Sequence, residues 1–250
     1  MWVVLPVTAA MALAPPRGLD AGVFEANCGI INVVKRGIDT LYNGQDIPRF
    51  YVLETVARVP YFAYCSVLHL RETLGQRDEV DRLRQHYAEA DNELHHLLIM
   101  ESLGGATRTD EIIAKTLACA LYWYTVVVFL CAPRAAYHLS ELIEAHAYET
   151  YDDFLRREAE TLKRSPVPEI AKRYYSSPYF RLLNRPPHDL HSLYDVFLNV
   201  RDDEKAHWRT LCSLVQYDQL EPLEEEDDDL DLDLDLDLDL AATRPIINGS

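Results

Sequence analysis

The sequence predicts an all-α fold with four long helices as its core. Three observations lead there. Apolar residues recur at helical spacing through most of 29–217. The breaks between these stretches fall at Gly and Pro. No stretch shows the two-residue alternation of a convincing strand.

Residues 1–28 are set apart as an apolar, targeting-like segment. They open with "MWVVLPVTAAMALAPP", which has the apolar part of a leader without its basic start. Residues 29–43 form the first helical stretch. A long helix follows over 48–74, where Pro60 should kink it or end it locally. Gly75 breaks the pattern. Residues 78–103 are strongly helical and stop at Gly104 and Gly105. Asp110 stands in the N-cap region of the next helix.

That helix contains "TLACALYWYTVVVFLCAP", residues 116–133, uncharged between Lys115 and Arg134. The stretch is at the lower limit of a membrane span. It fits a true span, a buried core helix, or a helix lying in the membrane interface and packed on the bundle. Tyr122, Trp123 and Tyr124 suit the interfacial level. Residues 134–163 are helical again, 165–188 form a Pro- and Tyr-rich connector with short helical pieces, and the last helix covers about 190–217.

A length of 250 residues fits one domain, expected at 29–218, and 48% hydrophobic residues support a core. The net charge of −17 is concentrated at one end. Residues 221–240 hold twelve acidic residues and no Lys or Arg, and without them the charge is about −5. The repeated Asp-Leu of 219–250 imitates a strand, but its like charges on one side repel, so the tail reads as disordered. No Lys/Arg stripe argues for nucleic acid. Cys28, Cys65, Cys119, Cys131 and Cys212 form no CxxC pair and read as reduced, structural residues, three of them in apolar surroundings.

Glu-x-x-His occurs twice, as Glu93/His96 and Glu204/His207. Residues i and i+3 share a helix face, so each pair can address one point. That spacing alone is a weak signal. Two more carboxylates, Glu54 and Glu144, sit in helices that are otherwise apolar around them. One Glu from each of two helices and Glu-x-x-His from each of two others is the pattern of a ferritin-like di-iron four-helix bundle. Four carboxylates neutralise most of the charge of two irons, and hard oxygen ligands with imidazole suit that metal. Without metal, four buried Glu would repel one another. The bland alternative is four unrelated surface Glu and two surface His.

The stretches "RFYVLETVARVPYFAY", "NELHHLLIMESLGG", "YHLSELIEAHAYETYDDFL" and "LYDVFLNVRDDEKAH" resemble the alternative oxidase family, its plastid branch most of all. The resemblance runs from about residue 30 to 212. It implies a membrane-associated quinol oxidase that takes electrons from plastoquinol or ubiquinol and reduces O2 to water at two irons, without proton pumping. It implies Glu54, Glu93, Glu144 and Glu204 as iron ligands. His96 and His207 either ligate or orient ligands, with Asn92 and Asp203 behind them. Tyr151 is implied as the catalytic electron and proton donor, and Arg49, Leu53, His146 and Thr150 as the quinol-binding residues. The resemblance further implies a homodimer bound in one leaflet of the plastid thylakoid membrane, rather than the mitochondrial inner membrane, with extra interfacial helices beside the bundle. A di-iron quinone-ring hydroxylase and a ferritin-like iron-binding protein without turnover are the competing readings. His95 points about 100° away from His96 on its helix, behind the site or at the surface. His69, His86, His188 and His191 read as surface or packing residues.

Overall fold

The computed structural model describes residues 19–177 and 186–220. The targeting-like reading of 1–18, the connector at 178–185 and the acidic tail from 221 lie outside the described residues. Among the described residues there are seven helices and no strand.

Helix α1 (Ala21–Leu41) starts eight residues before the periodicity does. Its start is set by Asp20, whose carboxylate accepts from the N–H groups of Gly22 and Val23. Helix α2 (Asp46–Thr73) runs on through Pro60, so the expected stop does not occur. A mid-helix proline costs about 3 kcal/mol. Burial from Phe50 to Leu68 on this helix offsets that cost. Helix α3 (Val80–Leu103) ends where predicted, and Gly104 and Gly105 take φ of 75° and 95°, a region glycine enters freely. Helix α4 (Arg108–Cys131) is capped by Thr107, and Asp110 is the reciprocal partner of that capping box rather than the cap itself. Helix α5 (Pro133–Arg164) opens on proline, which suits a first helical turn. A short α6 (Glu169–Tyr175) precedes α7 (Leu193–Tyr217).

Helices α2, α3, α5 and α7 form the bundle. The paired residues show that neighbours run antiparallel. On α5 and α7, Glu141 meets Cys212 while Asp152 meets Arg201. On α3 and α7, Glu93 lies beside His207 while His96 meets Asp203. Two apolar clusters fill the bundle. One gathers Phe50, Ile99, Tyr151, Phe154 and Phe197. The other gathers Tyr61, Tyr64, Phe129, Tyr137 and Leu211. On each helix the Glu and His of the predicted site fall between these clusters, so the fold places them in its dry middle.

Helix α4 packs on α2 and α5, and α1 packs on α5. Only 17% of the most apolar window of α4 is buried, at a mean hydropathy of 1.7, which corrects the core-helix reading. Ile112, Trp123, Val127 and Leu130 stand exposed on it, and Val33 and Leu41 on α1. Cys119 and Cys131 are exposed on α4 and Cys28 and Cys212 are half-buried, so of the five free thiols only Cys65 is a buried hydrophobe.

Candidate metal centre

Six side chains from the four bundle helices converge. Glu54, Glu93, His96, Glu144, Glu204 and His207 are each no more than 2% exposed. Ligand-type atoms of Glu54, Glu93, His96 and Glu204 all lie within 4.8 Å of one another, as do those of Glu93, Glu144, Glu204 and His207. The two quartets share Glu93 and Glu204. Two adjacent four-donor sites with two carboxylates in common are a binuclear arrangement.

The unpaired atoms agree with this. Both oxygens of Glu93, both of Glu204, one of Glu54, one of Glu144, Nδ1 of His96 and both ring nitrogens of His207 are buried without a hydrogen-bond partner. Buried polar atoms in native proteins are nearly always satisfied. Nδ1 of His207 is 2.8 Å from Glu93 Oε1, and Nδ1 of His96 is 3.0 Å from Glu204 Oε1. Such a set of lone pairs fits cations of intermediate hardness.

The electrostatics point the same way. Burial, then the charge of Glu144, pushes Glu93 up to about 8. Burial, then Glu93, Glu144 and Glu54, pushes Glu204 well above the usual carboxylate range. Burial alone would raise Glu144 too, but the neighbouring His207, then Glu204, and the Tyr61 hydroxyl hold it below its ordinary value. Burial lowers the His96 and His207 rings, yet the surrounding carboxylates outweigh it and hold both well above the ordinary imidazole value.

Supporting groups stand behind the donors. Asp203 accepts from His96 Nε2 at 3.0 Å, leaving Nδ1 aimed at the quartet. Asp203 also accepts from Asn92 Nδ2 and from the Tyr175 hydroxyl, each at 3.1 Å. Asn92 Nδ2 donates to the Tyr174 hydroxyl at 2.6 Å, and His95 stacks on the Tyr174 ring at 4.0 Å. The Tyr151 hydroxyl is buried and donates to Glu54 Oε1.

The family described as Alternative oxidase matches residues 25–215. The chain belongs to the alternative oxidase family. It is 46% identical over 203 residues to "Ubiquinol oxidase 4, chloroplastic/chromoplastic" of Arabidopsis thaliana, covering 77% of this chain and 57% of that protein. It is 27% identical over 182 residues to "Ubiquinol oxidase" of Trachipleistophora hominis (71% and 53%). The figure is again 27%, over 160 residues, for "Ubiquinol oxidase 2, mitochondrial" of Glycine max (64% and 45%). The chain thus spans about half the length of the curated relatives it matches.

The other predicted residues of this family member stand outside the two quartets. Arg49 pairs with Asp39 at 2.6 Å and donates to Thr150 Oγ1 at 3.5 Å. Thr150 Oγ1 donates to the backbone carbonyl of His146 at 2.8 Å. Leu53 is partly buried against the Phe50 cluster. Burial, then Lys35 and Arg49, lowers His146 to about 3, and both its ring nitrogens lack hydrogen bonds. Two surface cavities, of about 150 and 470 Å³, are lined by residues other than these.

The pattern reading missed several polar residues. Tyr61 is fully buried and donates to Glu144 Oε1 at 2.8 Å. His86, which can no longer stand as a surface residue, is fully buried between Glu89 at 2.7 Å and the Tyr137 hydroxyl at 3.0 Å. Tyr174 and Tyr175 come from the connector. A tyrosine on an apolar face reads as core, so only the Glu-to-Tyr spacing on α2 carried a signal.

Proposed function

We propose that the chain is a membrane-bound quinol oxidase with a di-iron centre. It oxidises two quinols to quinones and reduces O2 to two waters. The two overlapping buried quartets carry this reading. Glu54, Glu93, His96 and Glu204 would hold one iron; Glu93, Glu144, Glu204 and His207 would hold the other. Glu93 and Glu204 offer both oxygens and are the natural shared ligands, while Glu54 and Glu144 each offer one. Bound iron supplies the one-electron steps that let O2 be reduced with electrons from a two-electron donor.

The chain's own residues bind, orient and exclude water. The apolar clusters on both sides keep bulk water from the donors. The Tyr151 phenol sits at the Glu54 carboxylate, stacked on Phe50 at 4.4 Å, within reach as an electron and proton donor. Thr150 precedes it and ties to Arg49, so a quinol held by Arg49, Thr150 and Leu53 would lie beside that phenol. His146, neutral throughout the physiological range, can accept a hydrogen bond from a quinol hydroxyl and pass its proton on rather than store it.

The exposed apolar faces of α1 and α4 support attachment to one leaflet, from which a long-tailed quinol could enter. Such placement gives no path across the bilayer, hence no pumping. The higher identity to a chloroplastic relative than to mitochondrial ones supports plastoquinol and the thylakoid membrane. A homodimer is part of the same reading. The test is O2 uptake by purified protein in detergent with a short-chain plastoquinol, with iron assayed on the same sample. Quinone and water with bound iron support the oxidase; a hydroxylated ring, or iron without uptake, removes it.

A further inference from the structure

We propose that Tyr61 is a positioning residue of the metal centre, holding one oxygen of Glu144 so that only the other faces the metal. The inference rests on the di-iron reading above. It starts from a symmetry in the chain. Tyr61 follows Glu54 by seven residues on α2, and Tyr151 follows Glu144 by seven on α5. Seven residues are almost two turns, so each tyrosine shares a face with its glutamate, roughly 10 Å further along. Because α2 and α5 run antiparallel here, the tyrosine of one helix is level with the glutamate of the other. The hydrogen bonds are accordingly crossed: Tyr61 donates to Glu144 Oε1 at 2.8 Å, and Tyr151 donates to Glu54 Oε1.

The crossing sorts the carboxylates. Glu54 and Glu144, each capped by a phenol, keep only Oε2 without a partner. Glu93 and Glu204, which no tyrosine caps, keep both oxygens free. Capping therefore separates the one-oxygen ligands from the shared ones, and Tyr61 sets this for the Glu144 side.

Its surroundings are built to hold it still. The ring meets Tyr64 edge-on at 6.2 Å and lies 6.0 Å from His86 and 5.5 Å from His207. His86 is itself fixed at both nitrogens by Glu89 and Tyr137. Tyr151 by contrast stands beside Thr150 and Arg49, on the side of the proposed quinol residues. The two phenols thus have matching geometry and different neighbourhoods. Tyr61 faces no substrate group and acts through Glu144.

The experiment titrates ferrous iron alone into the full chain in detergent, reading each site by near-infrared magnetic circular dichroism. Outer partners of metal ligands are worth 10- to 100-fold in metal affinity. Tyr61→Phe should weaken one of the two irons by about tenfold and shift that site's bands, leaving helicity intact. Tyr64→Phe is the control, since its hydroxyl bonds Ala136 O and Ser140 Oγ rather than a donor. It should leave both irons unchanged. Equal effects of the two variants, or no effect of Tyr61→Phe, would overturn the proposal. Should Tyr61→Phe fail to fold, 3,5-difluorotyrosine at position 61 keeps the shape and strengthens the donor; an unshifted spectrum there overturns it equally. An unaltered chain that takes up no iron would instead bring down the di-iron reading itself.

Discussion

At the scale of single residues, Glu93 reaches as far as any donor because, like Glu204, it belongs to both quartets. Removing it takes a shared ligand from both metals and leaves Glu144, Glu204 and His207 facing a void. Glu93→Ala should lose iron at both positions and lower quinol-dependent O2 uptake by at least ~100-fold, the upper range for disturbed metal sites. Iron per chain and oxygen consumption measure this together, and a Glu93→Ala chain with full iron and uptake would end the assignment. Tyr151 is a different case. Its phenol touches Glu54 but is not itself in either quartet. Tyr151→Phe should still fill with iron when iron is in excess, while turnover falls by roughly 100-fold, the scale of a lost proton-transfer group. Full turnover in that variant would remove Tyr151 from the chemistry. The donors themselves were readable because Glu and His on apolar helix faces demand an explanation. Tyr61, Tyr174 and His86 were not, because aromatic residues on such faces need none.

At the scale of elements, α1 is attached to α5 through a neutral histidine. Asn27 Nδ2 donates to Ala135 O at 2.9 Å and to His138 Nδ1 at 3.1 Å, and Phe24 stacks on the same ring at 4.9 Å. Burial lowers His138 to about 4 from 6.5. A folded-state pKa below the unfolded one means that the unfolded chain binds the extra proton first. The stabilisation is therefore complete above pH 6.5 and is lost as pH falls toward 4, by about 2 kcal/mol. Protonation at Nδ1 would also set two donors against each other at Asn27. Protection of the α1 amides, taken relative to their intrinsic exchange rates at each pH, should fall over that pH range, and His138→Gln should flatten the profile; unchanged protection of α1 at pH 4.5 would sink this account. The same helix shows what the sequence hid. Its start depends on one capping residue, Asp20, inside a segment whose composition resembles a leader. Likewise Thr107 rather than Asp110 caps α4, since a capping box looks the same from either member. Pro60 failed to end α2 because tertiary burial outweighs a local preference. The remaining helices were legible from periodicity and glycines, which local rules control.

At the scale of the whole molecule, the bundle encloses a charge cluster that its own groups do not balance. Withdrawing iron should therefore destabilise the protein. Calorimetry of iron-loaded and chelated samples should show a melting temperature lower by several degrees without metal; equal values would mean that the carboxylates are satisfied within the chain. The outer surface poses the complementary problem, of apolar groups without cover. Ile112, Trp123, Val127 and Leu130 are exposed on α4, with Trp123 at 62% and Val127 at 58%. Periodicity could not decide among span, core and interface, because all three call for an apolar helix. Burial removes the core, and Phe129 packs on Tyr64 and Tyr137, fastening one face of α4 to the bundle; the proposed function places the other face in the membrane interface. A helix tied along one side offers the other to a lipid surface. Burying a large apolar side chain contributes about 1.5–3 kcal/mol. Trp123→Glu with Val127→Glu should then weaken binding to vesicles by 100-fold or more, while iron content and helicity stay the same, because neither side chain reaches the bundle interior. Flotation with vesicles of thylakoid-like lipid measures the first and an iron assay the second. Undiminished flotation would mean that the membrane meets another face, and the route of quinol to Arg49 and Thr150 would have to begin there.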